Sequence, residues 1–148
     1  MNITTNIPDV DVELAERILA ETRSWIGTPW HHNQACKGAG VDCARLYGAV
    51  LESLGVEVKL ENYSRRAQNG NLLKQIRAIA CMVELPSADY REPGDLIVFM
   101  VGAEPGHVGI CNGHGMIHAD QRLDRVCEIP DLGERWRRRI CAVFRVVL

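Results

Sequence analysis

The hydrophobic period changes once along the chain, and that change limits the architecture more than any other feature. Before Pro93-Gly94-Asp95 the apolar residues recur at helical spacing; after it they fall into short runs and alternations of strand type. Helices first and strands afterwards predict an α+β domain, with N-terminal helices packed on a C-terminal antiparallel β-sheet. Leu14, Ala15, Ile18, Leu19, Thr22, Trp25 and Ile26 make one stripe, so a first helix is expected over 11–26, ended by Gly27-Thr28-Pro29. A second should start at 42 or 43 and run to 54, with Leu46, Tyr47, Val50, Leu51 and Leu54 inward and Gly55 closing it. A third, shorter helix is expected over 72–80. Residues 30–41 read as a loop, and 61–70 as loop or weak helix. Strands are expected over 96–101, 107–111, 115–119, 125–129 and 140–147.

The stretch HVGICNGHGMIHAD, 107–120, is a hairpin. Asn112-Gly113 fits a two-residue type I′ turn, which pairs 111 with 114 and sets His107 directly opposite His118. A four-residue loop over 112–115 instead sets His118 opposite Gly109, with the two histidines diagonal neighbours. Both registers put the imidazoles on one face, which supplies a base and a group to orient it. Each histidine alone also fits a hydrogen-bonded structural role.

A nucleophile is offered by KGAGVDCARLYGAV, 37–50, where Cys43 follows two loop glycines at the mouth of the second helix. A thiolate is the reactive form of cysteine, and the unpaired N–H groups of a helix start favour negative charge. The same N–H groups suit an oxyanion. Asp42 fits a helix cap or a contact to a substrate amino group. Most of the other five cysteines lie in apolar company, as in Ala80-Cys81-Met82 and Ile140-Cys141-Ala142, and read as small core residues. There is no C-x-x-C pair. Zinc held by Cys43, His107, His118 or Cys111 is chemically open, but no close ligand pair surrounds Cys43, and no metal is expected.

At 148 residues, 47% of them hydrophobic, the chain suits a single domain over 1–148 with a real core. A net charge of −2 argues against a nucleic-acid partner, and Arg135 and Arg137 to Arg139 around Trp136 are expected to form a solvated turn. The beginning, MNITTNIPDVDVELAER, is polar and acidic, unlike a signal peptide. No apolar run approaches the roughly 20 residues of a membrane span. Synthesis in the cytoplasm without a signal peptide is therefore expected, with no membrane span.

Gly27-Thr28-Pro29-Trp30, Gly40-Val41-Asp42-Cys43, Pro93-Gly94-Asp95-Leu96, His107-Val108-Gly109-Ile110 and Ile117-His118-Ala119, in this order and spacing, resemble the NlpC/P60 cysteine peptidases. The resemblance runs from about Ile18 to the C-terminus. It is strongest to the cell-wall peptidases encoded with phage tails and gene transfer agents. It implies a papain-like α+β fold and a triad of Cys43 as nucleophile, His107 as base and His118 as orienting residue. It implies peptidoglycan stem peptide as substrate, cut between D-γ-glutamyl and a diamino acid, with no metal or organic cofactor. Tail proteins are the implied partners, and a virion or tail component acting in the periplasm or cell wall the implied location. Two departures from the family pattern stand out: Trp30 stands where a tyrosine is frequent, leaving either an indole N–H donor or an aromatic wall, and Ala44-Arg45 replaces Ser-Gly. Arg45 then either meets a substrate carboxylate or faces solvent, and His31 and His32 are candidates to line the cleft.

Overall fold

The structure, a computed structural model, describes residues 6–61 and 71–148. Most of the segment read as loop or weak helix lies outside them.

Helix α1, Val12–Arg23, begins where Asp11 caps it: the carboxylate accepts from the Leu14 amide at 3.0 Å. Leu14, Ala15, Ile18, Leu19 and Thr22 form its buried face. The helix ends three residues earlier than expected. Trp25 and Ile26 donate to carbonyls three residues back, at 3.0 and 3.1 Å, so the chain tightens and leaves the axis. Trp25 stays buried, whereas Ile26 is turned out to solvent, contrary to its place in the stripe. The loop that follows contains a small hairpin the sequence did not suggest, β1 (Ala35–Cys36) against β2 (Gly40–Val41).

Helix α2, Cys43–Ser53, buries Leu46, Tyr47, Val50 and Leu51. Gly55 closes it at φ +85°, with the Val56 amide reaching back to the Leu51 carbonyl at 3.1 Å and the Gly55 amide to Glu52 at 3.0 Å. That double bond is a Schellman ending and requires the left-handed residue at 55. Helix α3 is Asn71–Arg77, starting one residue before the expected 72–80 and ending three residues before its end.

Six antiparallel strands follow: β3 (Met82–Glu84), β4 (Leu96–Val101), β5 (Glu104–Cys111), β6 (Met116–Asp120), β7 (Arg125–Ile129) and β8 (Ile140–Val146), in the order β3-β8-β4-β5-β6-β7. Strand β3 was not foreseen. One face of the sheet packs on α1 and α2 through Leu96, Val98, Val108, Ile110, Ile117, Ala119 and Val126. The other carries Ile97, Phe99, Cys111, Met116 and Val143 under Leu132 and Trp136. Because β4 is covered on both faces, its sequence is continuously apolar rather than alternating.

The 112–115 connection decides the histidine register. Ile110 pairs with Ile117 and Cys111 with Met116, so the loop has four residues, and the type I′ register is wrong. A type I′ turn needs positive φ at both central residues, but only Gly113 has it. Asn112 instead accepts the Gly115 amide through its own side chain at 2.7 Å and donates to Glu128 at 2.8 Å. Gly115 is pressed so closely on β7 that a Cβ would fall 1.8 Å from the Ile129 carbonyl oxygen.

Asp95 has a partner 50 positions along the chain. It and Arg145, both nearly fully buried, form a two-pronged ion pair at 3.0 and 2.8 Å. Arg145 also donates to the carbonyls of Pro8 and Tyr90, fastening the N-terminal segment to the sheet. Among the described residues no helix is long and apolar enough to cross a membrane.

Candidate active site

The ladder between β5 and β6 consists of only two residue pairs, both near the turn. Toward Val108 and Ala119 the strands are no longer paired, and the sheet is split there. The N-terminus of α2 lies at this split: the Cys43 thiol is within hydrogen-bonding reach of the Val108 backbone. Val108 faces the helices, so by strand alternation its neighbour His107 points to the opposite face. The split lets the Cys43 thiol on one side of the sheet and the His107 imidazole on the other share one cavity. Its volume is about 680 Å³, and Trp30, His32, Cys43, His107, Asp120 and Trp136 are among its walls.

His107 and His118 are the diagonal neighbours of the four-residue register. His107 Nε2 lies 2.8 Å from His118 Nδ1, and the rings are nearly perpendicular at 83°. With Nε2 occupied, Nδ1 is the His107 nitrogen left for a reacting proton. His118 is buried, with Nε2 3.9 Å from Asp120 Oδ2.

Trp136 closes this face. Its ring centroid is 5.3 Å from that of His107, 5.5 Å from His118 and 4.9 Å from Phe99, with the Arg139 guanidinium 4.8 Å over it. The basic cluster is therefore not a plain turn: Gly133–Arg137 forms helix α4 and delivers Trp136 to the imidazole pair. The sequence signal was a lone tryptophan among arginines, costly to leave in water, although the arginines around it are indeed largely exposed.

Burial dominates the electrostatics. It pushes the Cys43 thiol up to about 12, helped by the Asp42 carboxylate; backbone groups of Val108, Ala44 and Cys43 itself act in the opposite direction. The helix mouth alone therefore does not create a thiolate. His107 is lowered to about 3 by burial, then by His118 and Arg139. His118 is also lowered, chiefly by burial and against the pull of Asp120. Burial thus favours the neutral thiol and the neutral imidazoles.

Asp42 acts as a structural anchor. Fully buried, it accepts the Arg45 amide on Oδ1 at 2.9 Å, capping α2, and the Asn33 amide on Oδ2 at 2.6 Å. It thereby ties the Trp30 loop to the helix carrying Cys43. Trp30 does reach the cavity, its ring stacked on His32 with centroids 6.3 Å apart. His31 is exposed, and Arg45 lines a separate crevice with Glu61 and Gln75. Cys111 is buried beneath the hairpin, its thiol directed at the Gly113 carbonyl, while His114 is exposed.

Comparison with known proteins agrees with this architecture. Among curated proteins none matches the chain. Its fold is shared by an NLP/P60 lipoprotein-like protein of Staphylococcus aureus, at a TM-score of 0.68 and 24% identity over 99% of this chain and 45% of the other. The peptidoglycan hydrolase RipB of Mycobacterium tuberculosis superposes at 0.65, with 18% identity over 100% of this chain and 75% of that one. The NlpC/p60 domain of the peptidoglycan hydrolase SagA superposes at 0.61, with 21% identity over 90% and 98%. Four of the matched structures are at least about twice as long, this chain covering 42–50% of them. The profile of the NlpC/P60 family matches residues 27–145, most of the chain, and the chain belongs to that family.

Proposed function

We propose that this protein is a thiol hydrolase of bacterial cell-wall peptide, with Cys43 as nucleophile, His107 as base and His118 as the residue that orients it. One observation carries the reading: Cys43, at the start of α2, opens into the same cavity as His107, whose far nitrogen is held by His118 at 2.8 Å. For His107 Nδ1 to accept the thiol proton, His107 must carry its own proton on Nε2 and donate it to His118 Nδ1. Attack of sulfur on the peptide carbonyl then places negative charge on oxygen near the first N–H groups of α2. The imidazolium returns the proton to the leaving amine, and water releases the acyl group from sulfur.

The cavity walls carry Arg122, Arg135 and Arg139 beside Glu104, Asp120 and Glu134. Mixed charge suits a peptide bearing both carboxylates and a free amine, as the bond between D-γ-glutamate and a diamino acid provides. The matched solved structures include proteins described as peptidoglycan hydrolases. The finer assignment is to a phage-like tail or gene transfer agent, as a component that opens the wall during penetration. It rests on the GTPW-H-H and KG-x-G-x-DC pattern of residues 27–43.

The test is hydrolysis of a defined L-Ala-D-γ-Glu-diamino acid peptide by wild type, His107→Ala and His118→Ala. His107→Ala should lose at least about 10³-fold in kcat, and His118→Ala about 10²-fold with a changed pH profile. Undiminished turnover in His107→Ala would remove the base assignment.

A further inference from the structure

The side of His118 away from His107 holds a second constellation. Strand pairing sets Cys127 of β7 directly across from His118, and Asp120 lies two residues along β6 on the same face. An imidazole nitrogen, a carboxylate oxygen and the Cys127 sulfur lie within 4.8 Å of one another. The 3.9 Å from His118 Nε2 to Asp120 Oδ2 is too long for a hydrogen bond. The three groups surround a gap wider, by about 1.3 Å at most, than ligands stand around a tetrahedral ion bound at roughly 2.0–2.3 Å.

Other features suit an ion. Asp120 Oδ1 accepts the Arg122 and Leu123 amides at 2.8 and 3.3 Å, which fixes the carboxylate and leaves Oδ2 turned toward His118. The second His118 nitrogen already has an outer partner in His107, as metal-bound imidazoles commonly do. Asp120 lines the main cavity, giving an ion a route from solvent. A carboxylate and a thiolate would neutralise a divalent charge.

We propose that His118, Asp120 and Cys127 form a binding site for a divalent transition metal of the zinc type, with nitrogen, oxygen and sulfur ligands and a fourth position toward the cavity. Occupancy switches the neighbouring base off, a consequence that rests on the hydrolase reading above. A neutral His118 bound through Nε2 carries its proton on Nδ1 and donates it to His107 Nε2. The His107 proton must then sit on Nδ1, the atom that has to accept from Cys43. Both imidazoles keep one proton each; the Cys127 proton leaves to solvent as sulfur binds the ion.

The experiment is titration of the reduced, metal-free protein with Co²⁺ and Zn²⁺, alongside inhibition of stem-peptide hydrolysis. Expected is one equivalent of cobalt with a thiolate-to-metal charge-transfer band. The band is absent in Cys127→Ser, where affinity falls at least about 100-fold, and retained in Cys43→Ala. Asp120→Asn, as a second variant, keeps the band at weaker affinity. Zinc inhibits wild type near one equivalent, and each variant is compared with its own metal-free rate. No saturable binding, a band that survives Cys127→Ser, or a band lost in Cys43→Ala overturns the site. Equal zinc sensitivity of wild type and Cys127→Ser overturns the switch. Metal binding through Cys127 in a protein without hydrolase activity upholds the site and removes the hydrolase reading instead.

Discussion

Replacing Asp42 separates two effects that pull in opposite directions. Its carboxylate caps α2 through the Arg45 amide and holds the Trp30 loop through the Asn33 amide, with no exposure to solvent. Asn is as good a cap as Asp, so Asp42→Asn keeps the first bond but turns an amide donor toward the Asn33 N–H. An unsatisfied buried donor costs about 1–3 kcal/mol. Asp42→Ala loses the cap as well, about 1–2 kcal/mol more. At ~2–4 °C per kcal/mol for a chain of this size, Asn should lower the Tm by about 2–12 °C and Ala by more. The same carboxylate is the second cause of the raised Cys43 pKa, after burial. Its removal should therefore make the thiol more acidic and speed alkylation at pH 8 in the folded protein. Urea denaturation gives the stability, and the iodoacetamide rate against pH gives the thiol. A less stable protein with a more reactive Cys43 is expected. A stability loss below about 0.5 kcal/mol, or a slower thiol in the folded Asn variant, would refute the anchoring geometry.

Breaking the buried Asp95–Arg145 pair with Arg145→Ala leaves a carboxylate uncompensated and should cost about 3–5 kcal/mol, read by urea denaturation. Activity against pH should be a broad bell, its acid limb falling well below 6.5 because His107 is lowered to about 3 and its alkaline limb lying above 9 because Cys43 is raised to about 12; limbs near 6.5 and 8.5 would show a solvated pair. Stability should follow the same groups. Between about 3 and 6.5 the unfolded chain binds the His107 proton that the fold excludes, so stability falls as pH drops through that window. Above 9 the unfolded chain releases the Cys43 proton more readily, and stability falls as pH rises, both measurable as Tm against pH. Trp136→Ala uncovers both imidazoles: acid tolerance should shrink, with the acid limb moving toward 6.5, while Phe at 136 should restore it.

Strand β4 was legible to its ends because covering on both faces leaves six apolar residues between turn signals. The start of α2 was legible because Asp42 is a strong cap placed directly before the apolar helical stripe. The hairpin misled, since Asn112 answers to Glu128 and to the Ile129 carbonyl on β7, partners that exist only once the third strand has docked. Helix α4 has five residues, too few for a periodic signal, and Trp136 finds its place through Phe99 and the two histidines. The thiol shows a different limit. A sequence reveals a helix terminus that lowers a pKa, but not the larger, opposite effect of burial, because β5, on which α2 packs, lies more than sixty positions away. The Arg145 partner of Asp95 is 50 positions distant and was equally hidden.

The most direct measurement is mass spectrometry of muropeptides incubated with wild type and with Cys43→Ala in parallel. Expected in the wild type alone are stems shortened to L-Ala-D-γ-Glu, with release of the remainder beginning at the diamino acid. Equal cleavage by folded Cys43→Ala would contradict the thiol mechanism, and intact muropeptides in both would contradict the hydrolase itself.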